Sequence, residues 1–171
     1  MAERLFFALW PGDPQRIALD RVRRALPRHR GRETDPADYH VTLSFLGPAD
    51  AERRACAEAA AASVRAAPFL LSLDHVGCFP RARILWCGAH ERPGPLLDLV
   101  AGLNGALLTC GFEPERRPFQ PHVTLARKAA QVAAYPLDEP VSWPVEAFVL
   151  VRSEPEGSAR YRVLASWPLV P

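Results

Sequence analysis

The sequence predicts an α+β fold of two lobes with mainly antiparallel strands, and three observations carry that reading. Short β-branched or aromatic runs are separated by Pro- and Gly-containing turns, with three helical stretches among them. The tetrapeptide His-Val-Thr-Leu occurs twice, as His40-Val41-Thr42-Leu43 and His122-Val123-Thr124-Leu125, each time opening an apolar run. At 171 residues the chain suits one domain, or two small lobes sharing a core, and buries most of its apolar surface.

Taken in order, Arg4 to Trp10 reads as a strand stopped by Pro11-Gly12. Asp13 or its neighbour caps a helix with Pro14 in its first turn, and Ile17, Leu19, Val22 and Leu26 form its apolar stripe up to Pro27. The polar loop Arg28 to Asp38 follows, with His29 expected in solvent, and leads into the first motif strand, Tyr39 to Gly47. Asp50 opens an Ala-rich helix expected to run to about Ala67, before Pro68. Phe69 to Pro80 and Ile84 to Gly88 read as two strands joined by a turn containing Arg81 and Arg83; His75, without Thr two places on, is read as structural. Pro93-Gly94-Pro95 leads into a helix to about Cys110, whose Leu96, Leu99, Val100, Leu103 and Leu107 fit a helical period, with Gly111 at its C-cap. The loop Phe112 to Pro121, with Arg116 and Arg117, delivers the second motif strand. Lys128 to Pro140 is expected to be irregular or a weak helix. Trp143 to Ser153 and Arg160 to Leu169 read as strands, with Gly157 in a hairpin between them.

Composition excludes several classes. The hydrophobic fraction of 49% and net charge of +2 are ordinary for a globular protein, and give no bulk field for nonspecific nucleic-acid binding. Lys128 is the single lysine against twenty arginines; arginine suits bidentate phosphate contacts, though codon bias toward Arg and Ala accounts for the skew more simply. The apolar stretch at the amino terminus reads as a strand rather than a signal peptide, and no run reaches the length of a membrane span. Cys56, Cys78, Cys87 and Cys110 lack paired metal-ligand spacing, so zinc and a disulfide framework are not expected, and four reduced thiols in a cytoplasmic protein are.

The repeated motif is the chemistry. Alternation along a strand sends His and Thr of each copy to one face, and Val and Leu to the other, into a core. With only five His and four Thr in the chain, two such pairs within identical tetrapeptides point to a site built from two equivalent halves. The competing reading is two buried strands whose histidines are satisfied core groups. Two imidazoles and two hydroxyls, with no carboxylate or thiol beside them, do not make a zinc site, and nothing singles out Ser44 as a nucleophile. Histidine titrates near neutrality, so one ring can act as base while the other acts as acid. Thr hydroxyls can donate to phosphate oxygens as charge develops. The set suits in-line phosphodiester cleavage without a metal.

These motifs and their flanks resemble the two-histidine (2H) phosphoesterase superfamily, and within it the RNA 2′,3′-cyclic phosphodiesterase branch. The resemblance covers nearly the whole chain: Arg4 to Ala8, His40 to Gly47, Gly77 to Pro80 with Ile84 to Trp86, His122 to Arg127, and Val149 to Ser153 with Gly157 and Tyr161. It implies a single domain over residues 1–171, bilobal and pseudo-two-fold, with helices outside a central cleft. It implies opening of a 2′,3′-cyclic phosphate to a 2′-phosphate without metal or cofactor; members have also been described as 2′-5′ RNA ligases. By resemblance His40 is the proton donor, His122 the proton acceptor, and Thr42 and Thr124 hold phosphate oxygens. Arg127 matches the family's arginine after the second motif; regular alternation sets it on the face opposite His122, so a phosphate role requires a bulge or strand end, and a surface ion pair is the alternative. Phe45 is a candidate for stacking on a base, but its parity with Val41 and Leu43 points to core packing. RNA ends or nucleotides bearing the cyclic phosphate are the expected partners, with the chain acting as a monomer. A different cyclic phosphate, a 2′,5′-linked oligonucleotide, or an RNA-end binding module without turnover remain the other readings.

Overall fold

The β-branched and aromatic runs form strands that pair antiparallel throughout, as β propensity and short connections require. The computed structural model describes residues 2–154 and 160–171; the hairpin expected at Gly157 lies outside them. In chain order the elements are β1 (Glu3–Leu9), α1 (Asp13–Arg24), β2 (Arg32–Glu33), β3 (Val41–Ala49), α2 (Ala51–Ser63), β4 (Phe69–Phe79), β5 (Ile84–Gly88), α3 (Gly94–Leu108), β6 (His122–Arg127), β7 (Tyr135–Val145), β8 (Ala147–Ser153) and β9 (Tyr161–Pro168).

The strands form one sheet in the order β7-β4-β5-β6-β3-β1-β8-β9, with β2 beside β6. The order is symmetric about its middle: four strands lie on each side, and the two motif strands, β6 and β3, are innermost. The halves join through a single Cα pair, Val41 opposite Val123. In an antiparallel pair a local two-fold axis passes between opposed residues. It exchanges His40 with His122 and Thr42 with Thr124, and sets each His beside the other copy's Thr.

The predicted inward residues are inward. Val41, Leu43, Val123 and Leu125 all lie in the main core, 5% exposed or less, and burying each such side chain contributes roughly 1.5–3 kcal/mol. The apolar stripe of α3 is buried at all five predicted positions, and Gly111 takes φ of +82° just beyond the helix, the left-handed value that ends helices. The Asp50 side chain caps α2, its Oδ1 accepting from the Arg53 N–H at 2.8 Å.

Five expectations are corrected. α2 stops at Ser63 rather than near Ala67, because Val64 is extended and the Ala66 N–H donates to Val170 near the carboxyl end. The segment expected to be irregular, Lys128 to Pro140, contains the first part of β7, a strand that carries Pro136, Pro140 and Pro144. It is an edge strand, where prolines are tolerated because only one side needs ladder hydrogen bonds. The expected strand from Trp143 to Ser153 breaks at Glu146 into β7 and β8, which sit in opposite halves. His29 is buried, its Nδ1 accepting from the Gly31 N–H at 2.9 Å. Cys56 and Cys110 form a disulfide between α2 and the end of α3, while Cys78 and Cys87 are free. Helix packing brings their Cα atoms to 5.8 Å despite 54 residues of separation, and closing such a loop stabilises by about 4 kcal/mol in the chain-entropy account. Among the described residues no helix is long and apolar enough to cross a membrane.

Candidate active site

Both motif histidines are held by the same device. His40 Nδ1 donates to the carbonyl of Asp38 at 2.7 Å, and His122 Nδ1 donates to the carbonyl of Gln120 at 2.8 Å. Because a carbonyl only accepts, each Nδ1 carries the proton, and each Nε2 is left for chemistry. Neither Thr42 nor Thr124 has a side-chain hydrogen-bond partner among the described residues, so both hydroxyls are available to a ligand.

The rings are packed differently. His40 stacks on Trp10 at 5.4 Å and 11°, and also meets Phe6 at 5.0 Å and Tyr161 at 5.1 Å. His122 meets Phe79 edge-on at 5.1 Å and Trp86 obliquely at 6.1 Å. Trp86 lies over two glycines that make room for it: a Cβ on Gly77 would come within 2.4 Å of its ring, and one on Gly88 within 2.7 Å. Burial dominates the electrostatics. It pushes His40 down from 6.5 to about 4, against the Asp38 hydrogen bond, with the charge of Arg127 adding to the depression. Burial lowers His122 as well, again assisted by Arg127. Burial thus favours the neutral form of both rings.

A cavity of about 220 Å³ opens on the His40 side, lined by Arg32, His40, Thr124, Arg127, Arg160 and Tyr161. Asp38 also borders it; burial and the neighbouring Asp35 raise its carboxyl, while Arg160 opposes them. Arg127 thus reaches the cleft despite its parity. The reason is a register break: Leu85 pairs with Ala126 but Trp86 with Thr124, leaving Leu125 as an extra residue that reverses the alternation. Among the described residues Arg127 has no ion-pair partner, and it lines the cavity beside His40 and Thr124. Phe45 is corrected by the same mechanism. Ala8 pairs with Thr42 but Phe7 with Ser44, so Leu43 is the extra residue. Phe45 leaves the core face it was expected to share with Val41 and Leu43, pairs with Phe6, and stands 57% exposed beside Arg4.

Sequence reasoning did not assign Trp10, Arg32 or Arg160 to the site. Trp10 had a readable signal, because Phe6, Ala8 and Trp10 share one strand face, and Phe6 and Ala8 pack in a separate cluster with Val149 and Val151. Arg32, on the two-residue strand β2, and Arg160, just before β9, had none. Chemically, His40, Thr124 and Arg127 border one cavity, and the pairing of Val41 with Val123 sets His122 and Thr42 opposite each other beside them.

Comparison with known proteins shows the family and the fold. The family model described as the 2′-5′ RNA ligase superfamily matches residues 11–157. The Escherichia coli protein named RNA 2′,3′-cyclic phosphodiesterase is 32% identical over 170 residues, covering 98% of this chain and 97% of its own. The Thermus thermophilus protein of the same name is 35% identical, covering 97% and 90%. The crystal structure of E. coli LigT complexed with 3′-AMP superposes with a TM-score of 0.90 at 32% identity, over 100% of both chains. The chain belongs to the 2′-5′ RNA ligase superfamily.

Proposed function

We propose that this protein is a metal-independent RNA 2′,3′-cyclic phosphodiesterase that opens a terminal cyclic phosphate to a 2′-phosphomonoester. The observation that carries the proposal is the two-fold pair of tethered histidines, each beside the other motif's threonine. The relatives named RNA 2′,3′-cyclic phosphodiesterase support the substrate class.

In this reaction the phosphorus sits on the two-fold axis. Water attacks opposite O3′; His122 Nε2 accepts its proton while His40 Nε2 gives one to the departing O3′. The O3′–P bond breaks as the new O–P bond forms, and the phosphate remains on O2′. Thr42 and Thr124 donate to the two non-bridging oxygens, where charge develops. Arg127 adds a fixed positive charge on the His40 side, and Phe45 offers a face to a base. The depressed His40 must acquire a proton to act as acid, and the anionic phosphate supplies the field that favours it.

We further propose that residues 1–171 act as one unit of two lobes, as a monomer, in the cytoplasm where RNA ends of this kind arise. Reducing thiols there would exchange with the Cys56–Cys110 bond. The test is the product formed from a short RNA ending in a 2′,3′-cyclic phosphate, in excess chelator. A 2′-phosphate product is expected; a 3′-phosphate, or loss of activity restored by one metal, overturns the mechanism.

A further inference from the structure

Outside the catalytic pair, one cluster of side chains has the composition of a metal site. His75 Nδ1 lies 2.7 Å from Asp74 Oδ1, and His90 Nδ1 lies 3.0 Å from the same oxygen. The two imidazoles stack at 3.7 Å with 22° between planes. Successive strand residues normally point to opposite faces, so Asp74 and His75 should not converge. They do because the β4–β7 register breaks between Leu73 and His75, leaving Asp74 as the irregular residue. His90 comes from the turn after β5, and its backbone N–H donates to Asp74 Oδ1 at 3.2 Å. The fold thus spends a bulge and a turn to aim two ring nitrogens at one carboxylate oxygen.

We propose that Asp74, His75 and His90 bind a single divalent first-row transition-metal ion, of which zinc is the type, beside the catalytic cleft and separate from it. The donor set decides the class. Two imidazoles with one carboxylate suit zinc, nickel or cobalt, whereas calcium and magnesium demand oxygen ligands. The three donor atoms lie within 4.8 Å of one another. Tetrahedral bonds of about 2.0–2.1 Å set donors roughly 3.3 Å apart, so the 2.7 and 3.0 Å N···O distances would widen by about 0.6 and 0.3 Å. On binding, each ring ligates through Nδ1 and carries its proton on Nε2 instead, a tautomer shift within the ring. His75 is nearly buried and fixed edge-on to Trp86 at 5.1 Å, while the His90 side chain is 71% exposed, which leaves an entry path and room for water to complete the shell.

The test is calorimetric titration of the full chain with zinc chloride, in which one equivalent should bind. His90→Ala and Asp74→Asn should each weaken binding by at least about tenfold, the lower bound seen for lesser disturbances of metal sites. His90→Ala should leave turnover of the cyclic phosphate unchanged. His122→Ala and Cys78→Ser should bind zinc as the parent does, since neither residue belongs to the site. No uptake at millimolar zinc, affinity unchanged in His90→Ala, or affinity lost in His122→Ala or Cys78→Ser would overturn the proposal.

Discussion

The two halves of the cleft begin from the same four residues and then diverge. Each motif places a His and a Thr on one face, and each is followed by one extra residue at its Leu, Leu43 or Leu125, that reverses the strand's parity. The residue five places after each histidine is thereby turned to the cleft face. In one half that residue is Phe45; in the other it is Arg127. The aromatic packing is exchanged as well. Trp10 stacks on His40, and continuing the β1–β3 register sets it opposite that ring, whereas Gly88 pairs with His122. Trp86 pairs with Thr124 where Ala8 pairs with Thr42. Each histidine gets one tryptophan, but from positions two residues apart. The difference teaches that the paired motif residues are placed symmetrically while their surroundings are not. Chemistry at phosphorus needs two equivalent arms; distinguishing attacking water from departing O3′, and base from solvent, needs unlike neighbours.

The comparison can be broken most severely at the rings. His40→Ala and His122→Ala should each lower kcat by roughly 10²–10⁴, the range for a positioned acid or base, in single-turnover assays with folding checked by circular dichroism. Two losses of similar size support paired catalysis; a variant with near-parental kcat removes that ring from the mechanism. The hydroxyls come next. Thr42→Val and Thr124→Val keep strand shape, and each should cost up to roughly 10²–10³ in kcat, as for loss of one transition-state donor. Full activity in both would make the hydroxyls structural.

The unlike pair should respond unlike. Arg127→Met should weaken phosphate binding and make KM less sensitive to salt, because it removes a charge. Phe45→Ala should raise KM for an RNA by about 5- to 100-fold, the scale of one base stacked on an aromatic, with kcat nearly kept. Comparing both variants on a substrate with and without a neighbouring base sharpens the contrast: equal losses on both substrates would deny Phe45 its role.

The smallest effects are in pH. The carbon-bound protons of His40 should titrate near 4 in the free protein by NMR, below the ordinary 6.5, and move upward when a phosphate ligand is added. The kcat/KM profile, which reports free-enzyme groups, should be bell-shaped with its centre below pH 6.5. A flat profile between roughly pH 5 and 8 contradicts paired histidines. Stability carries the same sign. Below about pH 6.5 the unfolded chain binds a proton that folded His40 refuses until about pH 4, so His40 subtracts stability as pH falls through that window.

The four motif positions were legible because alternation is local and the tetrapeptide repeats. The core face, the α3 stripe and the Asp50 cap followed from equally local rules. What escaped depends on partners distant in sequence. Whether Phe45 lies in or out is decided by where β1 slips past β3, and the placement of Arg127 by where β5 slips past β6; neither slip is written in the motif strand itself. The first half of β7 was expected to be irregular, and its prolines are at home in a strand only because it lies at the sheet edge. Cys56 and Cys110 carry no spacing signal, and only the packing of α2 on α3 brings them together.

The central claim, that His40 protonates the departing oxygen and His122 activates water, is tested most directly by changing that oxygen. A cyclic phosphate with sulfur in place of O3′ has a leaving group of much lower pKa, near that of a thiol, which departs without a proton. The account predicts that the sulfur substrate restores turnover to His40→Ala and leaves His122→Ala slow. Rescue of His122→Ala instead would reverse the two roles, and rescue of neither would contradict proton transfer to the leaving group by these rings.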